Sequence, residues 1–326
     1  MASLKTIRRD DRGQLLLVGA FILAILLVAL AVVLNAAVYT ETLAARGSDR
    51  VDVSDTVQYR ADTERALTGL VASVNENATT SRDDAEATLR AGVTDWDAVS
   101  ARQQAATGRA TSVTVTDVDA VTTVSQTNDS LTFTNASAAS DWTVVENVTD
   151  TGPFTLSVAS TDTGIPPGNA TDVAALDSQA FHVEVTNSTT TWQVFVFRSG
   201  PNLTVAVASS GSLDPYTYET TYVAGDPVEL DFTNARIDGT PAPNLAFYEG
   251  VSGPSSVAIS NGANAAGSYT LVVDGDVVSP DDYSNDPEAG PTARAVLTRL
   301  DVTLRYELAN LRYEAPISVT AGGSDV

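Results

Sequence analysis

The only imidazole in the chain is His182, and general acid–base or nucleophilic catalysis would have to begin there, because histidine titrates near neutral pH. It stands between Phe181 and Val183 in an alternating apolar stretch. A strand in that stretch turns the ring to the face opposite its neighbours, and that face is expected to be wet. No nucleophile motif accompanies it: G-x-S-x-G, H-E-x-x-H and a phosphate-binding glycine loop are all absent. The expectation is a solvent-facing histidine without a catalytic role. Oxygen ligands of the kind that hold Ca²⁺ or Mg²⁺ crowd the loop from Ser279 to Glu288, with Asp281, Asp282 and Asp286. The loop lacks EF-hand spacing, so a solvated loop is expected in place of a cation site. Asp117 with Asp119 is a weaker version of the same pattern. A glycoside-cleaving pair needs only two carboxylates at the right separation, and 41 acids nominate no particular pair. No catalytic residue, metal ligand or cofactor is therefore assigned, and the protein is not expected to be an enzyme.

A second chemistry is written in the asparagines. Seven N-x-S/T sequons occur, at Asn77, Asn128, Asn135, Asn147, Asn169, Asn187 and Asn202, and none in the last 124 residues. Each is a possible glycan acceptor if its loop is exposed and the chain crosses to the outside. This pattern suggests a sugar-decorated first half and a C-terminal half more engaged in packing.

Composition narrows the classes further. The 326 residues carry 18 Lys and Arg against 41 Asp and Glu, a net charge of −23, and no cysteine. Nucleic acid is not an expected partner for such a surface, since phosphate binding needs clustered cations. Disulfides, thiolate catalysis and cysteine-type zinc sites are excluded. Only one cation, Lys5, is a lysine, and 29 of the acids are aspartates. Short, dense carboxylates with almost no lysine resemble the proteins of extremely salt-loving archaea, whose surfaces stay hydrated when salt screens charge almost completely.

The elements that position these residues start with a membrane signal. Leu15 to Val38 are 24 residues without a formal charge, and as a helix they reach about 36 Å, enough for a hydrocarbon core of about 30 Å. Lys5, Arg8, Arg9 and Arg12 precede them and acids soon follow, so the positive-inside rule places 1–13 in the cytoplasm and the remainder outside. The chain reads Arg12-Gly13-Gln14-Leu15 at the start of the run, a cation and a small residue directly before the apolar helix. An uncleaved anchor, a secretory signal with Ala29-Leu30-Ala31 as its cleavage site, and a leader cut on the cytoplasmic side all compete for this segment.

The run from Asp11 to Ala20, followed by Leu34-Asn35-Ala36-Ala37-Val38-Tyr39-Thr40-Glu41, resembles the N-terminus of archaeal type IV pilin-like proteins and of uncharacterised haloarchaeal membrane-anchored surface proteins. The resemblance covers roughly the first 45 residues. It implies processing by a prepilin-type peptidase between Gly13 and Gln14, and partners among like subunits, surface-layer proteins and the lipid bilayer. Many pilins carry a glutamate at the fifth mature position; this chain has Val18 there, which puts filament assembly in question.

Residues 41–110 read as a helical stalk. Leu67, Leu70, Val71 and Val74 make one helical face, Ser81 is placed to cap a second helix opened by Asp83 and Asp84, and Ala85, Leu89, Trp96 and Val99 continue a stripe. From Thr111 the texture changes to short alternating runs, among them Phe181/Val183/Val185, Leu203/Val205/Val207, Tyr216/Tyr218/Tyr222 and Leu300/Val302/Leu304/Tyr306. Trp192–Phe197, apolar on both faces, reads as a central strand, and Asp274-Gly275 reads as a hairpin turn. A phase shift after Asn310 suggests a bulge or bend. The expected fold is α+β: a transmembrane helix at 14–40, a helical stalk at 41–110, and a β-rich, antiparallel, sandwich-like extracellular domain at 111–326, divisible near 211–215. The expected function is a non-enzymatic, anchored cell-surface protein for surface structure or adhesion. The alternative is a membrane-tethered extracellular solute-binding or glycan-acting domain, with Trp142, Trp192 and the tyrosines at 216–222 available to line a sugar site.

Overall fold

The computed structural model describes residues 54–77, 80–161, 170–223, 226–251, 253–277, 279–309 and 311–321. The leader, the apolar run at 14–40 and the Gly13–Gln14 junction lie outside the described residues, as does Asn169. The chain divides into two compact units, residues 1–63 with 309–313, and residues 64–308 with 314–326. Helix α1 covers 54–76. Within the first unit its turn at Thr63 returns a hydroxyl hydrogen bond to the Tyr59 carbonyl at 2.8 Å. The second unit holds nearly all the remaining structure.

That unit is built from two antiparallel sheets. The eight-stranded sheet has the order β10-β9-β8-β3-β12-β1-β13-β14. Its long members are β1 (Ala110–Gln126), β3 (Asp150–Thr161), β12 (Ala265–Asp274), β13 (Thr292–Glu307) and β14 (Arg312–Thr320), with β8 (Val228–Asp231), β9 (Arg236–Ile237) and β10 (Thr240–Pro241) at one edge. The six-stranded sheet runs β2-β11-β4-β5-β6-β7. Its strands are β2 (Trp142–Val148), β4 (Phe181–Asn187), β5 (Thr191–Ser199), β6 (Asn202–Ser209), β7 (Ser212–Thr221) and β11 (Ser255–Ser260). Val124, Phe154, Leu156 and Leu271 of the first sheet share one buried apolar cluster with Val183, Val185, Val194, Val196 and Val205 of the second. This is the arrangement of a β-sandwich, each strand turning alternate side chains inward. The antiparallel β-rich expectation holds, and β5 is the interior strand that its two-sided apolarity implied.

β1 and β13 are too long for the sandwich alone. They pair from Ala110↔Glu307 to Ser125↔Thr292, with irregularities between Val115 and Asp117 and between Asp119 and Ala120. β12 accompanies β1 only over Thr122–Gln126, so among the described residues the earlier half of β1 has no strand on that side. Helix α2 (Arg82–Ala105) lies against β1 and β13 and patches this open edge. Asp97 Oδ1 accepts the Val113 N–H at 2.8 Å, and Arg82 donates to the Ala120 carbonyl at 3.2 Å. An uncovered edge would be a template for unwanted strand pairing. Ser81 caps α2 as expected, accepting from Asp84 N, with Asp83 and Asp84 in the first turn. Ala85, Leu89 and Val93 are the buried stripe, whereas Val99, expected on it, is 52% exposed. The stripe continues through Ser100 instead, one residue further round the helix.

Where β13 bulges at Thr298, its backbone loses regular pairing, and a side chain of α1 takes over. Asn75 Nδ2 donates to the Leu297 carbonyl at 3.1 Å while the Leu297 N–H donates to Asn75 Oδ1 at 2.9 Å. The amide thus imitates a strand partner. Asn75→Ala is expected to cost about 2 kcal/mol by stranding both Leu297 groups. Thermal unfolding followed by circular dichroism checks this, and a change below about 0.5 kcal/mol would show that water replaces the amide freely.

Other expectations change. The segment around Asp274-Gly275 is not a hairpin: β12 ends at Asp274 and pairs with β1 and β3, while β13 begins only at Thr292. Gly275 is needed for close approach, since a Cβ there would come within 2.8 Å of Val148. Its acidic neighbours serve Arg82, at 2.5 Å from Asp274 and 3.4 Å from Asp276. Residues 211–215, weighed as a boundary, are the turn and opening of the β6–β7 hairpin, with Ser210 and Gly211 at φ 50° and 81°. The phase shift near 310 separates two neighbouring strands, β13 and β14, in place of bending one.

Buried tyrosines give the fold a pH limit. Tyr248 donates to the Gly152 carbonyl at 3.0 Å, and burial pushes its pKa up to about 12. Burial also raises Tyr269, and it raises Tyr283, whose hydroxyl donates to the Val144 carbonyl. Unfolded tyrosines ionise near pH 10, so above that pH the unfolded chain binds fewer protons and stability falls as pH rises. The stabilisation is complete below about pH 10 and is lost towards pH 12, Tyr248 alone contributing on the order of 3 kcal/mol. Unfolding free energies measured at about pH 9 and about pH 11.5 should differ by at least that much.

Candidate functional site

His182 is not on a wet face. It is 1% exposed, on the outer side of the six-stranded sheet, where helix α3 (Val173–Gln179) covers it. Leu176 and Ala180 form a small second cluster there with Phe195, Phe197, Ala206 and Ala208. The imidazole packs on the Phe195 ring at 4.8 Å. Its Nδ1 lies 3.1 Å from the Ala180 carbonyl oxygen, and its Nε2 lies 3.4 Å from Asp177 Oδ1, which also accepts from Gln193 at 2.8 Å. Both nitrogens face acceptors supplied by the chain, and the ring is covered on a buried face. The alternation around Phe181 was legible; the helix that roofs the opposite face was not.

The carboxylate patterns resolve into structural pairs. Arg299 sits among Asp119 at 2.9 Å, Asp301 at 3.4 Å and Asp117 at 3.5 Å. In the acidic loop, Asp282 accepts from Asn135 Nδ2 at 2.6 Å, while Tyr283 turns inward against Trp142 at 5.9 Å. Among the described residues no group of three or more His, Asp or Glu could hold a metal ion.

The expected aromatic line is split. Trp142 is buried and donates from Nε1 to the Phe133 carbonyl at 3.0 Å. Tyr222 carries the Arg198 guanidinium 4.3 Å above its ring, and Tyr218 donates to Asp238 at 2.8 Å. Trp192 is half-buried and stacks on Phe247 at 5.1 Å with the rings 10° apart. The pair lines a hollow of about 340 Å³ at one end of the sandwich, bordered by the β6–β7 turn and by the 3₁₀ segment Pro243–Gly250. Phe247 and Asn244, which complete this hollow, carried no signal in the sequence, because a short 3₁₀ segment shows no periodicity.

The sequons are not equivalent. Asn135 is 8% exposed; its Oδ1 accepts from Ser137 and Ala139, and its Nδ2 is held by Asp282. Asn202 is half-buried, and the hydroxyl-bearing Thr204 of its sequon is buried. Asn128 is half-buried and donates to Glu288. Asn77 and Asn147 are exposed. Asn187 opens the β4–β5 loop, with Oδ1 accepting from Thr189 N, Thr189 Oγ1 and Thr190 N at 2.9–3.1 Å. Val148, Ser255 and Asn187 are aligned in register, so Asn147 and Asn187 share one end of the six-stranded sheet.

Residues 9–198 match the model of a family of unknown function, DUF7261. The chain belongs to that family. No curated protein and no solved structure matches it. The DUF7261 span takes in the apolar run at 15–38 and stops inside β5. It therefore includes β1 and β4 but not their partners β11, β12 and β13, so neither sheet is complete within it. Among the described residues no helix is long and apolar enough to cross a membrane.

Proposed function

We propose that this DUF7261 protein is a non-enzymatic, pilin-like cell-surface protein of a salt-loving archaeon, tethered by its N-terminal apolar helix and carrying a glycosylated β domain outside the cell. The observation that carries the reading is the uncharged run Leu15–Val38, preceded by Lys5, Arg8, Arg9 and Arg12 and lying within the family span. In this reading a prepilin-type peptidase cuts between Gly13 and Gln14. The helix then stays in lipid as an anchor or packs against like subunits, and the acid-clad domain meets surface-layer proteins or other surfaces. The engaged nitrogens of His182 and the Arg299-paired aspartates support a non-catalytic body.

N-terminal sequencing of protein from its own membranes is the test, joined to protease treatment of whole cells in native brine. A mature start at Gln14 with external cleavage supports the reading; an intact chain starting at Met1 or Ala2 and shielded from protease overturns it. Glycopeptide mapping adds a site-by-site expectation. Asn187, Asn147 and Asn77 are expected to carry sugar, and Asn135 is expected bare because its amide nitrogen is buried against Asp282. A glycan found on Asn135 would contradict that contact.

A further inference from the structure

We propose that the hollow at Trp192 and Phe247 is a binding site for a neutral sugar ring. The stacked pair, with Pro215 and Pro243 beside it, makes one apolar wall. The C–H-bearing face of a pyranose packs on such a wall because aromatic faces are electron-rich. The volume of about 340 Å³ lies in the range of small-molecule sites. Asp214 and Asn244 line the same hollow. Asn244 is 7% exposed; its Oδ1, without a hydrogen-bond partner among the described residues, is itself closed to solvent, and its Nδ2 reaches the Tyr216 carbonyl at 3.5 Å. Asp214 accepts the Tyr216 N–H at 2.8 Å through Oδ1, and its carboxylate is otherwise exposed at the rim.

The polarity of these groups selects the ligand. The Asp214 carboxylate only accepts, while the Ser209 and Ser212 hydroxyls that also line the hollow donate or accept, so the occupant must donate to Asp214 and exchange hydrogen bonds with hydroxyls. Adjacent sugar hydroxyls donate and lie against an aromatic at the same time. A proline-rich peptide also favours aromatic walls, but it lacks N–H groups at proline to donate to Asp214. Among the described residues no cation lines the hollow, and the chain carries −23, so phosphates and acidic sugars are repelled. The site goes beyond the anchored-surface reading, and its chemistry does not depend on where the chain resides.

The full-length chain in detergent, in concentrated salt, is titrated with mannotriose, maltotriose and chitotriose. Binding is followed by tryptophan fluorescence and by saturation transfer from protein to sugar. At least one trisaccharide is expected to bind saturably in the millimolar range, the level typical of a small open site. Asp214→Ala, an exposed change, should weaken that binding about fivefold or more, and Trp192→Ala should abolish it. If Trp192→Ala does not fold, Phe247→Ala with a folded spectrum serves in its place. Absence of saturable binding by all three sugars at about 10 mM overturns the proposal. So does binding unchanged by Asp214→Ala, or binding of a polyproline peptide in place of the sugars. A cytosolic location of the protein would remove the surface reading and leave this result untouched.

Discussion

Gly267→Ala is expected to lower the unfolding free energy by about 4 kcal/mol or more. Gly267 lies in β12 opposite Val158, just past the irregularity at Ala266. A Cβ on it would stand 2.0 Å from the Ser157 carbonyl oxygen and 2.7 Å from Phe133 Cζ. Neither neighbour can retreat. Ser157 is backbone within a paired strand, and Phe133 is fully buried, stacked on Phe181 at 4.6 Å. Gly267 itself is held on both sides, donating to the Leu131 carbonyl at 3.0 Å and accepting from Gln126 Nε2 at 2.8 Å. The methyl must therefore push strands apart at the centre of the eight-stranded sheet. Gly69→Ala is the matched control: it lies in helix α1 with nothing within 4 Å of its added Cβ. That change should stabilise by about 0.5–1 kcal/mol, through helix propensity and a less flexible unfolded chain. Denaturant unfolding of both variants in concentrated salt decides the matter. Equal midpoints for Gly267→Ala and the parent would mean that Ser157 and Phe133 are not where the structure puts them.

The contrast between those glycines shows what was legible. Local devices could be read directly: the Ser81 cap, the inward alternation of Phe181, Val183 and Val185, and the two-sided apolarity of β5. Each depends on residues within one element, so the period alone reveals it. Features set by distant residues could not be read. Asp274-Gly275 has the residues of a hairpin turn, yet its acids are used by Arg82, nearly two hundred residues earlier, and its glycine by Val148. His182 alternates correctly out of the core, but α3 then roofs that face with Leu176. Burial on the second face of a sheet depends on what crosses it, and a strand's own pattern holds no record of that. The same holds for the hollow at Trp192, where β5 supplies one ring and a segment fifty residues later supplies the other.

Raising NaCl from about 0.1 M to about 2 M at neutral pH is expected to lift the unfolding midpoint by about 15 °C, roughly 5 kcal/mol for a domain of this size. The cause is the surplus of 41 acids over 18 cations. Few cations are available to each acid: Arg299 alone serves Asp117, Asp119 and Asp301, and Arg82 serves Asp274 and Asp276. At about 0.1 M the screening length is about 10 Å, so surface carboxylates still repel one another and the folded state bears repulsion that the expanded chain relieves. At about 1 M it shrinks to about 3 Å and that penalty nearly vanishes. Salt also strengthens apolar burial, and this second effect must be separated from the first. A triple variant, Asp95→Asn, Glu146→Gln and Glu219→Gln, removes three exposed charges that anchor no described ion pair. If repulsion is the cause, the variant gains stability at low salt, converges with the parent at high salt, and shows a shallower slope between. Parallel slopes would assign the salt dependence to apolar burial and take it away from the acid coat.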